Sequence, residues 1–153
     1  MITVLVDTKE QQPWEFTQSS QILTKSYKIK TGDYTIEGLE NILCIERKKS
    51  VAEFAQNINQ SRFTKELIRM EEFPHRFILL EFDFRHIDNF PMELPPKIRK
   101  RIKVTSQYIM KRISEIQINN RIDVIPCGNR TYAEYVSANI IKRVYEKYNK
   151  EKR

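Results

Sequence analysis

Strand-like and helix-like stretches alternate along this chain, and that alternation most narrows what it can fold into. It points to an α/β domain, a central mixed sheet flanked by helices. Residues 2–6, ITVLV, read as a buried strand rich in β-branched side chains that ends at Asp7. Residues 8–23 read as loop, and a strand is expected at 25–30. Gly32 turns the chain into a strand at 33–37; residues 38–41 form a hairpin turn, and 42–47 return as the partner strand. Ser50 and Glu53 have the spacing of a capping box. Val51, Phe54, Ala55 and Ile58 then fall on one helix face. A second helix is expected over 62–72, stopped by Pro74, followed by a long apolar strand at 76–83, RFILLEFD. Residues 84–94 read as loop. Pro95 and Pro96 open a helix carrying Ile109, Ile113 and Ile116 on one side. A short strand at 122–126 and a turn at Gly128 lead to a last helix over 131–148, with Ala133, Val136, Ile140 and Val144 facing inward. Residues 1–148 are thus expected to form one domain, with 149–153 a basic tail that frays.

The length of 153 residues suits a single core, and 40% hydrophobic residues can fill it. Lys and Arg outnumber Asp and Glu by 27 to 20; the net charge of +7 points to a polyanionic partner, most commonly nucleic acid. Cys44 and Cys127 are far apart and form no CxxC pattern, which disfavours a zinc site and a disulfide framework. The N-terminus turns polar too soon for a signal peptide, and no apolar run approaches the roughly 20 residues of a membrane span. A soluble intracellular protein is expected, cytoplasmic, or nuclear in a eukaryote.

Three acidic segments stand out: VDTKE at the N-terminus, GDY at 32–34 and IERK at 45–48. Twelve residues separate Asp33 from Glu46, so a hairpin would bring them together. Lys48 lies two residues beyond Glu46 and shares its face in an extended strand. Asp7, ending another strand, is placed to join them. Hard carboxylate oxygens suit Mg²⁺ or Mn²⁺, which lowers the pKa of bound water and polarises a phosphoryl oxygen. A neighbouring lysine can orient that water or neutralise developing charge. By spacing alone the pattern is weak, and solvated charges at strand ends are the commoner reading.

Taken in order, VDxxE, then GDY, then ERK before a short amphipathic helix resembles the XPF-type nuclease domain. That family carries a GD…ERKxxxD variant of the PD-(D/E)XK signature. Arg62-Phe63 with Glu66-Leu67 resembles the family's RF-containing helix; FILLE, and Gly128 to Glu134, resemble compact prokaryotic and phage members. The resemblance implies a restriction-endonuclease-like core and a Mg²⁺- or Mn²⁺-dependent endonuclease acting on branched, flapped or nicked DNA, in repair or recombination. It implies Asp7, Asp33 and Glu46 as metal ligands, Lys48 as the catalytic lysine, and Glu10 and Arg47 as accessory site residues. It also implies a homodimer through the C-terminal helices. The chain departs from the pattern at Ala52, where the family's terminal Asp would fall; Glu53 is the nearest acidic substitute, or only the capping-box partner. No helix-hairpin-helix module is found, so DNA affinity is expected from the nuclease domain, a dimer or another protein.

Lys97, Arg99, Lys100, Arg101 and Lys103 form a basic run suited to gripping phosphates, with strong salt dependence. Lys49, Arg62 and Arg130 are further candidates for phosphate contact, Arg130 because it precedes a helix. Trp14, Phe16 and Tyr34 suit base stacking or ordinary packing. Tyr132, Tyr135, Tyr145 and Tyr148 add aromatic surface to the last helix. His75 and His86 belong to no nucleophile pattern and read as structural. The rival reading is a catalytically inactive DNA-binding or scaffold subunit; RNA as substrate is also compatible.

Overall fold

The structure, a computed structural model, describes residues 1–151. Its elements are β1 (Ile2–Asp7), β2 (Ile22–Tyr27), β3 (Tyr34–Ile36), β4 (Leu43–Lys48), α1 (Val51–Asn57), α2 (Ser61–Met70), β5 (His75–Leu80), α3 (Phe84–Asn89), α4 (Pro96–Arg99), α5 (Ser106–Asn119), β6 (Asp123–Pro126) and α6 (Arg130–Glu151). The final two residues of the expected tail, 152–153, lie outside the described residues. No described helix is long and apolar enough to cross a membrane.

The strands form one mixed sheet in the order β2-β1-β3-β4-β5-β6. β3 runs antiparallel to both β1 and β4, while β1–β2, β4–β5 and β5–β6 pair in parallel. Parallel strands need covered faces, and both faces of this sheet are covered. On one face Cys44, Ile78 and Leu80 pack against α1, α2 and α5 through Phe54, Phe63, Leu67, Ile109 and Ile113. On the other, Val4, Ile36, Ile45 and Leu79 pack against α6 and the 8–21 segment, through Ala133, Ile141, Trp14 and Phe16. β5 contributes to both cores, which is why FILL reads as a continuous apolar run.

Four sequence expectations change. The strand expected at 25–30 is β2, Ile22–Tyr27; it is an edge strand with only Ile22 buried, so its apolar signal is weak. The loop expected at 84–94 contains α3, capped by Asp83, whose Oδ1 accepts Arg85 N (3.0 Å) and His86 N (3.2 Å) while His86 Nδ1 accepts Asp83 N (3.0 Å). A histidine at that position hides the usual Glu/Gln signature. The helix expected from Pro95 onward is two helices. α4 stops at Arg99, and Thr105 caps a fresh start, its Oγ1 accepting Tyr108 N at 3.1 Å. Finally, the inward stripe of α6 is Ala133, Ser137, Ile141 and Val144; Val136 and Ile140 are only half-buried, on its flank.

Candidate active site

The β3–β4 hairpin builds the centre of the site. Tyr34 pairs with Ile45, so Asp33 and Glu46 stand opposite one another and project to the same sheet face. Past Tyr34 the ladder keeps one backbone rung, and the Asp33 side chain supplies the next. Asp33 N donates to Ile45 O, and Arg47 N donates to Asp33 Oδ2, each at 2.8 Å. Gly32 makes this approach possible. Its φ of +88° is costly for any side chain, and a Cβ there would lie 2.6 Å from Cys44 Sγ and 3.2 Å from Ile45 O.

β1 adds Asp7, whose N–H donates to Asp33 O at 2.9 Å, placing it beside Asp33 on the neighbouring strand. Its carboxylate, however, fastens backbone: Oδ1 accepts Ile29 N at 2.9 Å and Oδ2 accepts Lys9 N at 3.3 Å. Lys48, sharing Glu46's face as expected, brings Nζ to 3.7 Å from Glu46 Oε1. The ammonium also donates to Asn57 Oδ1 at 2.8 Å and lies 4.9 Å from the Phe63 ring centroid. Those contacts hold a buried cation in one place. α1 and α2 complete the wall of a cleft of ≈ 310 Å³, to which Glu53, Asn57, Arg62 and Glu66 contribute.

The electrostatics are unfavourable to full ionisation. Burial, then the charge of Glu10, pushes Asp33 up to about 7, although the Arg47 amide works against this. Burial, then Asp33, then Glu66 hold Glu46 well above the usual carboxylate range. Glu46 Oε2 is buried with no hydrogen-bond donor. Burial, and the same carboxylates, push the Cys44 thiol up, so it is an inert core side chain. Among the described residues no three Asp, Glu, His or Cys side chains converge closely enough to hold a cation together. The donor set nonetheless fits a hard cation: ionisable oxygens pressed together, one of them without a donor.

Arg47 and Glu10, expected as accessory site residues, pair with each other on the other side of the sheet, although the charge of Glu10 still bears on Asp33. The two-residue period of β4 sends Arg47 to the opposite sheet face. There its side chain is 1% exposed, bonding Glu81 at 2.8 Å, Glu10 at 3.0 Å and Gln12 O at 3.0 Å beneath the Trp14 ring, 5.0 Å to its centroid. Burial alone would lower the Arg47 pKa, but Glu81 and the other partners raise it on balance. This network, with Trp14 stacked on Tyr34 at 4.6 Å, locks the 8–21 crossover onto the sheet. Trp14, Phe16 and Tyr34 are therefore core, closed to bases. Lys49 and Arg130 serve the same loop. Lys49 Nζ donates to Gln11 O at 2.7 Å, and Arg130 donates to Gln12 O at 2.7 Å and Pro13 O at 2.9 Å.

Arg62 is exposed beside the cleft; Lys97, Lys100, Arg101 and Lys103 are exposed along α4 and the segment after it. Arg99 is half-buried, its NH1 3.6 Å from Met92 Sδ. Only the Ser50 half of the expected capping box forms: Ser50 Oγ accepts Glu53 N at 3.1 Å, and Glu53 lines the cleft. Sequence reasoning takes Glu66 only as part of a motif. An acidic residue on the Phe63, Leu67, Met70 stripe of α2 is the available signal that it faces the sheet.

This sheet, with Asp33 opposite a Glu-x-Lys strand on one face and helices on both sides, has the restriction-endonuclease-like fold expected from the sequence. The chain belongs to the ERCC4 domain family, which it matches over residues 6–140. Its fold is shared with XPF from Aeropyrum pernix, at a TM-score of 0.70 and 17% identity, covering 98% of this chain and 68% of that one. A structure of XPF from Aeropyrum pernix in complex with DNA matches at a TM-score of 0.69 and 17% identity, covering 95% of this chain and 66% of that one. No curated protein matches it in sequence.

Proposed function

We propose that the protein is a divalent-cation-dependent endonuclease that hydrolyses DNA phosphodiesters, with Asp33, Glu46 and Lys48 at its centre. The observation that carries this reading is the buried Asp33–Glu46 pair with Lys48 beside it at the wall of an open cleft. Asp33 and Glu46, with Asp7 after a turn of its side chain, would hold Mg²⁺ or Mn²⁺. When bound, the cation activates water and offsets charge on the scissile phosphate. Lys48 is held by Asn57 where its ammonium can orient water or meet charge developing on a phosphoryl oxygen. A buried, unneutralised carboxylate pair costs stability, and a cation would relieve it. A scaffold that had lost catalysis would have no use for that cost.

Branched, flapped or nicked DNA is the proposed substrate class. Arg62 and the exposed cations at 97–103 would meet phosphates, while Lys49 and Arg130 support the loop they bond. Homodimerisation would use α6, whose Tyr132 and Tyr135 are 61% and 67% exposed. Tyr135 edges an apolar groove between β5 and α6, lined also by Phe77, Val136, Ile140 and Val144. Tyr145 and Tyr148 are half-buried against the core, and Ile109, Ile113 and Ile116 are buried, so neither set is available to a partner.

The test is cleavage of a panel of flapped, nicked, branched and linear DNAs, with an RNA arm, in Mg²⁺, Mn²⁺ or EDTA. Cleavage of branched or nicked DNA that needs the cation and is lost in Asp33→Asn is expected. No cleavage by the folded wild type in either cation, while DNA binding persists, favours the scaffold reading.

A further inference from the structure

α1 separates two openings. Glu53 and Asn57, one turn apart, face the cleft that holds Glu46 and Lys48. Ala52, Ala55 and Gln56, at the same helical spacing, face a second groove of ≈ 540 Å³ on the helix's other flank. Its far wall is Phe90, Leu94, Ile98, Ile102 and Val104, from the chain that runs through α4 toward α5. Small side chains at 52 and 55 keep the groove open. α4 buries none of its own residues, which leaves Ile98 49% exposed. The volume falls in the range of ligand pockets.

The charges around this groove indicate what fills it. Arg101 and Lys103 stand in its lining, and Lys97 and Lys100 are exposed on the same segment. No acidic side chain lines it, and among the described residues none of these four cations has an ion-pair partner. The occupant must therefore carry apolar surface and negative charge together. We infer that it is an unpaired base of the DNA, seated between α1 and the 90–104 segment with its neighbouring phosphates on Arg101 and Lys103. The inference rests on the nuclease reading and names the substrate feature the protein selects. A nucleobase has apolar faces and a phosphate on either side, and an unpaired one leaves the stack at least cost. The Gln56 amide offers its polar edge a donor and an acceptor. The groove lies about one helix diameter, ~10 Å, from the cleft. A base seated there is about two or three nucleotides along the strand from the phosphate being cut, at ~3.4 Å each. A fully paired duplex cannot fill the groove, so flapped or branched DNA gains a contact that linear duplex lacks.

Equilibrium binding by fluorescence anisotropy in EDTA, without cleavage, tests this. Three DNAs of one sequence are compared: a fully paired duplex, the same duplex with a short unpaired flap, and that flap with its bases removed. The wild type is expected to bind the intact flap ~5-fold or more tighter than the other two. Ile98→Ser keeps every cation and removes part of the apolar wall. It is expected to lose the preference for the flap, to bind duplex like wild type and to keep the wild-type salt slope. Equal wild-type affinity for the flap with and without bases overturns the assignment, as does an unchanged flap preference in Ile98→Ser. Either result leaves the nuclease reading standing, since cleavage in Mg²⁺ or Mn²⁺ tests that separately. No binding of any of the three DNAs by the wild type overturns both. A mass that falls toward 18.4 kDa in Ile98→Ser while its flap preference holds gives the groove to a second copy of the chain. Should Ile98→Ser fail to fold, Ala52→Leu, which fills the groove from its other wall, carries the same comparison.

Discussion

Replacing Asp33 with Asn is expected to stabilise the cation-free protein while abolishing cleavage. Asp33 titrates near 7 in the fold against a usual 3.8. The raised value means the folded state binds protons that the unfolded state has released. Its contribution to stability is therefore intact below the unfolded pKa and lost as pH rises through the folded one. A shift of ~3 units at ~1.4 kcal/mol each caps the penalty at ~4 kcal/mol at about pH 8. Asp33 is only half-buried, which discounts this to about 1–2 kcal/mol. Asn carries no charge to lose. Its Oδ1 can still accept the Arg47 amide, and its amide N–H can donate to the carboxylate opposite. Denaturant unfolding in EDTA should therefore place Asp33→Asn above wild type by about 1–2 kcal/mol at about pH 8, or ~2–8 °C in Tm. The gap should narrow toward about pH 4, where the wild-type carboxyl is protonated in the fold. Excess Mg²⁺ should reverse the order, since a ligand binding only the folded wild type adds stability by mass action. A variant less stable than wild type in EDTA at both pH values would refute the claim that Asp33 is held against its ionisation.

Four further outcomes follow from the same geometry. Gly32→Ala, forced to φ +88° with its Cβ on Cys44 Sγ, should lose about 2–5 kcal/mol in a denaturant titration; a loss under ~1 kcal/mol would mean the hairpin can yield there. Arg47→Met should cost about 3–5 kcal/mol by stranding Glu10 and Glu81, yet its folded fraction should still bind Mn²⁺; a stable but cation-blind variant would put Arg47 in the site after all. Neutralising Lys97, Lys100, Arg101 and Lys103 should reduce the slope of log affinity for duplex DNA against log salt by ~0.9 for each phosphate left without its cation, and an unchanged slope would mark a merely solvated surface. Tyr135→Glu should shift the mass in light scattering from a dimer toward the 18.4 kDa monomer, and a wild type already at that mass, with and without DNA, rules the dimer out.

How much of the site can be read from sequence depends on which physics places each residue. Asp33, Glu46 and Lys48 are legible because a hairpin and a two-residue period are local: the register follows from the turn and the faces follow from counting. The same counting puts Arg47 on the far face of β4, where the accessory role implied by the resemblance would have to be exerted through the loop it holds. Its actual partners come from two distant stretches, Glu10 and Gln12 from the 8–21 crossover and Glu81 from just past β5, so only the packed fold could name them. The 8–21 crossover is opaque for a related reason. It has no period, and Trp14 and Phe16 become core only because the sheet offers them a face. Asp7 shows the limit from the other side, since its position beside Asp33 is readable while the backbone amides its oxygens hold are not. Glu66 escapes a sequence reading because an acid in an amphipathic helix reads as solvent-facing unless the docked face is known. Asp33 and Glu46 face one side of β4, while Arg47, the next residue along the strand, is spent on the other. That division assigns charge repulsion to the face that opens on a cleft and charge pairing to the face that holds the loop.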